Sequence, residues 1–293
     1  MASQPQAFFL PSDSPDGGQR FCLYHPPSAT PVSTLARGLV LYVHPFAEEM
    51  NKSRRMAALQ SRAFADAGYA VLQIDLLGCG DSSGDFGDAT WAAWIDDIVQ
   101  GCQTLRHMAD IPASQTAAPL WLWGLRAGCL LAGAAATRVQ GPVNLLLWQP
   151  PASGKPLLQQ FLRLKMAGDL LSGQAKGITE TLRQQLADGN SVEIAGYTLA
   201  SALAIGLDSA TLGSNASALV QTIKRVEWIE LSSREAALLS PASAKPIAHW
   251  QSTGTRVRSQ VVSGPAFWQT TEIEEAPSLL RISVEAIGEW AVA

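Results

Sequence analysis

The stretch Trp121–Gly133, WLWGLRAGCLLAG, joins a Trp/Leu strand pattern to an Ala/Leu helix pattern across Gly124-x-x-x-Gly128. Glycine at both flanks permits a tight, strained strand-to-helix turn, because a side chain there would collide with the neighbouring strand or helix. Residues 117–136 as a whole have the length of a membrane helix and carry a small-xxx-small pair in Gly124 and Gly128. Arg126 at their centre argues against that reading, costing about 2.5–3.5 kcal/mol on insertion scales. The glycine break also divides the run into two elements, so no membrane span is expected.

Outward from this turn, short apolar runs alternate with longer helical patterns. Strands are expected at Arg20–His25, Gly38–Phe46, Tyr69–Leu77, Leu120–Gly124 and Val143–Trp148, and again at Val226–Leu231 and Val257–Val262. Met56, Leu59, Ala63 and Phe64 share one face of a helix that Gly68 terminates. Trp91, Trp94, Ile95, Ile98, Cys102 and Leu105 mark a second such helix, and Glu272 to about Trp290 a last one. From Ala152 to about Lys224 helical patterns run on with no convincing strand between them. The fold class that results is α/β, a doubly wound, mostly parallel sheet with an inserted helical cap. Residues 1–151 and 225–293 form the core and 152–224 the cap.

Composition narrows the function. In 293 residues, 47% apolar and 16% charged residues suffice for one large core. Lys plus Arg number 21 against 25 Asp plus Glu, for a net charge of −4 without a basic run, which argues against nucleic acid as a partner. Cys22, Cys79, Cys102 and Cys129 form neither a metal knuckle nor a compact disulfide framework, and they read as reduced thiols. No metal or cofactor is implied. With no Lys or Arg before Arg20 and no long apolar run at the start, a secretory leader is not expected and the protein reads as cytoplasmic.

The turn has the pattern of a nucleophile elbow, G-x-S-x-G, and the order of elements resembles the α/β-hydrolase fold. Arg126 stands where the nucleophile belongs, and a guanidinium cannot attack a carbonyl, so serine acyl transfer through this position is excluded. Glu235, after the strand Val226–Leu231, is the nearest carboxylate for the acid position. No histidine follows His249, which lies ahead of the last strand, and Phe267 and Trp268 occupy the expected histidine region. Backbone N–H groups after the elbow, at Ala127, and in the loop after Phe46 remain available for an oxyanion or another anion. Arg126 adds a full charge to that helix N-terminus, favouring a carboxylate or phosphate. Alternatively it pairs with Glu48 or Glu49.

The loop His44–Arg55 is dense in polar groups and leaves a strand end where open α/β sheets bind ligands, which makes Asn51 and Arg54 further candidates. Its bland reading has Asn51 capping the helix and Lys52, Arg54 and Arg55 in a solvated first turn, although cations there oppose the helix dipole. Asp75 is expected to fix turn N–H groups around Gly78 and Gly80. Cys79 is a remote alternative nucleophile, with His44 as the sole histidine near enough to act as its base. Trp268 is a candidate wall of the cleft.

FAEEMNKSRRM (46–56), DLLGCGDSSGDF (75–86) and WGLRAG (123–128), with Gly264–Trp268, resemble the second hydrolase group associated with the exosortase A (PEP-CTERM) system of bacteria. The resemblance implies an intracellular protein beside a protein-sorting and exopolysaccharide locus, with hydrolase activity inferred from fold and an arginine at the elbow as part of the group's pattern. Two functions follow as expectations. One is hydrolysis of an ester or thioester of a small, lipid-linked or glycan-linked substrate without a Ser-His-Asp triad, with Arg126, Glu235 and His44 as candidate catalytic residues. The other is a non-catalytic module that binds an anionic acyl, glycan or phosphate group, or a protein partner of the exosortase or polysaccharide machinery.

Overall fold

The computed structural model describes residues 4–13, 17–28, 36–109, 118–169, 177–213 and 222–288. Its centre is an eight-stranded sheet built from β1 (Gln6–Pro11), β2 (Gln19–His25), β3 (Leu39–Val43), β4 (Ala70–Ile74), β5 (Leu120–Leu125), β6 (Val143–Trp148), β9 (Ile223–Ser232) and β10 (Arg256–Ser263). Their spatial order is β1-β2-β4-β3-β5-β6-β9-β10. β1 and β2 pair antiparallel and β2 joins β4 antiparallel, while the six strands from β4 to β10 run parallel. β3 and β5 are buried at every residue, as strands covered on both faces must be.

Helices α1 (Glu48–Asp66), α2 (Trp91–Met108) and α3 (Ala127–Ala136) follow β3, β4 and β5, and α7 (Ala244–Ser252) and α8 (Pro277–Gly288) follow β9 and β10. α1 and α8 bury Met56, Phe64, Leu279 and Ile287 on one face of the sheet. α2, α3 and α7 bury Ile98, Leu105, Leu131 and Trp250 on the other. The first face is aromatic: the Trp123 ring centroid lies 4.3 Å from that of Tyr42 and 4.7 Å from that of Trp148. Gly68, at φ 89°, takes the left-handed position just past the end of α1.

The cap departs and returns at one place. Gly154 N–H donates to the Ala210 carbonyl (2.9 Å) and Leu212 N–H to that of Ala152 (3.0 Å). Between these crossings lie α4 (Lys155–Asp169), α5 (Ile178–Ala187), a hairpin of β7 (Val192–Ile194) and β8 (Tyr197–Leu199), and α6 (Ser201–Ser209). The hairpin corrects the all-helical expectation. Its turn residues Ala195 and Gly196 have φ 50° and 82°, the pair of positive angles that a two-residue type I′ turn requires. Three further boundaries differ from the sequence pattern. β1 is an additional edge strand, β3 ends at Val43 ahead of Phe46, and α8 begins at Pro277 because proline suits the first helical position; residues 289 and 290 lie outside the described set.

Candidate active site

Two strained turns stand side by side at the carboxyl ends of β3 and β5. Ala47, before α1, has φ 49° and ψ −126°; Arg126, before α3, has φ 55° and ψ −118°. Non-glycine residues there carry about 1–3 kcal/mol of strain each, a recurrent property of functional turns. Packing dictates the glycines. A Cβ on Gly124 would lie 2.6 Å from the Gly128 carbonyl oxygen, and one on Gly128 would lie 2.2 Å from that of Val43. The α3 start therefore packs directly on the end of β3, which brings the two turns together.

Glu49, in the first turn of α1, meets Arg126 across this junction. Arg126 Nη2 donates to Glu49 Oε1 (3.0 Å) and Nε to both carboxylate oxygens (3.2 and 3.4 Å). The side chains are 12% and 7% exposed, so the pair is shielded from solvent. Nη2 also donates to Gln160 Oε1 of α4 (3.0 Å), and the guanidinium carbon lies 5.7 Å from the Trp268 ring centroid. The expected pairing of Arg126 with a carboxylate of this segment is present, and Glu49 is the partner. Burial pushes the Glu49 carboxyl above its ordinary range against the pull of Arg126, and burial likewise raises Glu48.

The cap closes over this group. Phe46 packs against Phe161 of α4 at 5.1 Å between centroids and against Phe86 at 5.5 Å; Tyr197 of the hairpin completes the cluster, 5.0 Å from Phe86. Between Phe46, Glu48, Glu49, Leu157, Gln160 and Phe161 a cavity of about 10 Å³ remains, at the threshold for one water. The structure thus holds a positive elbow neutralised by the chain's own carboxylate under an aromatic lid.

The other sequence candidates fall elsewhere. His44 is buried; its Nδ1 donates to the Pro45 carbonyl (2.8 Å) and its Nε2 accepts from Leu76 N–H (3.3 Å), so neither nitrogen is open to a substrate. Burial also lowers its pKa, keeping the ring neutral. Glu235 is exposed, with no hydrogen bond or ion pair among the described residues, and is not placed as a triad acid. Instead Glu230, inside β9 and 5% exposed, takes Trp228 Nε1 (2.9 Å), Ser240 N–H (2.8 Å) and the Ser243 hydroxyl. It ties the 233–243 segment to the sheet. His249, on α7, packs beside Gly213 at the base of the cap.

Asn51 does not cap α1. The helix starts at Glu48, so Asn51 lies a turn inside it, and the first turn carries Glu48 and Glu49, which suit the dipole. The expected mismatch of cations with that dipole is absent, since Lys52, Arg54 and Arg55 sit further along. Arg54 grips Asp75 through Nη2 (3.0 Å) and Nη1 (3.3 Å), and Asp75 also accepts from Asp81 N–H (3.2 Å). Asp75 thereby holds the 78–81 turn, and a Cβ on Gly80 would fall 1.9 Å from its Oδ2. Cys79 is buried and desolvation drives its pKa far up, which removes it as a nucleophile. Gln160 joins the site without any motif in the sequence to mark it. Among the described residues no cluster of three or more His, Cys, Asp or Glu is placed to hold a metal.

The serine aminopeptidase S33 family (Hydrolase_4) matches residues 34–188, more than half of the chain. The chain belongs to this family. The S33 match spans both strained turns and helices α4 and α5, so Arg126 and Glu49 both lie within the matched region. No curated protein matches the chain. Among solved structures, a thermostable carboxyl esterase from Bacillus coagulans is 15% identical, with 99% of this chain and 100% of that one covered at a TM-score of 0.64. A monoglyceride lipase variant from Saccharomyces cerevisiae is 14% identical, covering 99% and 96% at 0.63. Est1E from Butyrivibrio proteoclasticus, bound to ferulic acid, is 16% identical, covering 98% of each at 0.62. These likenesses establish the α/β-hydrolase fold. No described helix is long and apolar enough to cross a membrane.

Proposed function

We propose that this S33-family protein uses its elbow cleft to bind an anionic group, a carboxylate or phosphate carried on an acyl or glycan ligand, without an acyl-enzyme step. The observation that carries the proposal is the guanidinium at the nucleophile position, gripped in two-point fashion by the Glu49 carboxylate. A ligand carboxylate has the same charge and fork geometry as Glu49, so it can take Glu49's place on Arg126. Ala127 is the first residue of α3, so its N–H belongs to the donors that a helix start leaves without an intrahelical partner. Entry requires the Phe46–Phe161 contact to open, so ligand binding and cap movement are linked. The resemblance to the exosortase A-associated group supports a place beside protein-sorting and exopolysaccharide machinery, and a ligand or partner drawn from it.

A second reading is hydrolysis of an ester or thioester by water, with Glu49 as base and Arg126 holding the developing oxyanion. The raised pKa of Glu49 supports it, because a carboxylate lifted by burial is a stronger base. One experiment separates the two. Purified protein and Arg126→Gln are titrated calorimetrically with octanoate and octyl phosphate, and assayed with short-chain acyl esters and thioesters. Saturable binding that disappears in the variant, without turnover in either sample, is expected. Turnover that disappears with Arg126→Gln would establish the hydrolytic reading instead.

A further inference from the structure

A second cavity lies at the opposite end of the sheet from the elbow, at the amino ends of the parallel strands. It encloses about 590 Å³, within the usual range for small-molecule sites. Four of the chain's 21 Lys and Arg residues line it, Arg37, Lys224, Arg225 and Arg256, with no acidic residue among the described lining. For a chain of net charge −4 this is a strong local concentration of positive charge.

Strand register builds the site. Trp121 pairs with Asn144, Asn144 with Arg225, and Arg225 with Arg256 across β5, β6, β9 and β10. In-register neighbours in parallel strands project from the same face, so these four side chains form one row. Two guanidiniums are held in place beforehand. Arg225 lies 5.3 Å over the Trp121 ring and donates to the Ala286 carbonyl (2.5 Å). Arg37 lies 5.6 Å over the Tyr69 ring and donates to the Ala67 carbonyl (3.2 Å). One layer deeper, Glu227 accepts from both Arg225 (2.6 Å) and Arg258 (2.8 Å), so one carboxylate serves two cations. Held cations beside an open volume, with Arg37 and Lys224 exposed to it, suit the charge and the several acceptor oxygens of a phosphate.

We propose that this cavity binds a small phosphorylated ligand, a diphosphate or nucleoside diphosphate, as a site separate from the elbow. The site does not depend on the function proposed for Arg126. Its test is calorimetric titration of the full chain with pyrophosphate, ADP and adenosine, beside two variants. Arg37→Gln/Lys224→Gln changes two exposed lining residues, and Arg126→Gln reports on the elbow. Pyrophosphate and ADP should bind saturably and adenosine should not, with a dissociation constant about tenfold or more higher in the Arg37/Lys224 variant and unchanged in Arg126→Gln. ADP binding tighter than pyrophosphate would identify the ligand as nucleoside-borne, and equal binding a bare diphosphate. The proposal is overturned by no saturable binding up to about 10 mM, by affinity unaltered in the double variant, or by loss in Arg126→Gln alone.

Discussion

The two ends of the parallel sheet differ in the space they leave around positive charge. At the carboxyl ends, one guanidinium sits between Glu49, Gln160 and the Trp268 ring, with about 10 Å³ left beside it. At the amino ends, four cations surround about 590 Å³. The carboxyl end has the geometry on which this fold places sites: two adjacent strained turns, a helix N-terminus and a cap. Its backbone is set by glycine packing, whereas its chemistry is set by one side chain. The turn therefore holds an arginine on a backbone that glycine packing sets, with its charge satisfied internally by Glu49.

The sharpest way to break the comparison is to attack the scaffold alone. Gly128→Ala forces a Cβ to 2.2 Å from the Val43 carbonyl, which cannot yield without moving β3 from α3. A loss above about 5 kcal/mol is expected, seen as absence from the soluble fraction. Gly133→Ala in the same helix meets the Leu212 side chain at 3.2 Å and is expected to stay folded. Soluble, cooperatively unfolding Gly128→Ala protein would refute the packing account.

Next comes the charge at the elbow. Arg126→Ala or Glu49→Ala each strands a buried partner and should lower stability by about 3–5 kcal/mol in urea unfolding. The double change Arg126→Met/Glu49→Leu removes both charges and should recover most of that loss. Singles costing under about 1 kcal/mol would mean that the pair is solvated and the cleft open. A smaller effect tests the lid. Phe161→Ala, losing contacts with Phe46 and Tyr197, should cost about 3 kcal/mol while strengthening octanoate binding, because the closed form is weakened. Unchanged binding would separate the aromatic cluster from access.

Much of this is legible in the sequence, and what is not has physical reasons. Central strands such as Leu39–Val43 and Val143–Trp148 read clearly because almost every residue is buried. β1 escapes because it is an exposed edge strand, and the cap hairpin because each strand has three residues and its turn is Ala-Gly. The start of α1 is hard to place because its N-cap is Ala47, which offers no side-chain signal. Glu49 is visible beside the loop, yet Gln160 reaches Arg126 from the cap, a proximity that only the tertiary fold creates. Glu235 attracts notice because it follows the strand pattern, while Glu230 lies inside it, masked by its apolar neighbours. The cationic cavity depends on the register of Asn144, Arg225 and Arg256, residues far apart in the chain.

Finally, each end of the sheet buries a histidine, which allows pH to probe both. His44 lies after β3 at the carboxyl end; His25, ending the antiparallel β2 and paired with Val71, lies at the amino end. Burial lowers both, and His25 falls to about 4, with Arg62 adding to the effect. The His25 Nε2 faces the Gln73 amide nitrogen at 3.1 Å, an acceptor role that a protonated ring loses. The folded values lie below the unfolded one, so between pH 6.5 and about 4 the unfolded chain binds protons that the folded chain refuses. Stability is full above pH 6.5 and falls as pH drops through this window. For His25 the loss should be about 3 kcal/mol of unfolding free energy in urea at constant salt, and His25→Asn should remove that share while leaving the share of His44. A wild-type midpoint flat over the window would mean that both rings take up a proton without unfolding the chain, overturning the account of their burial.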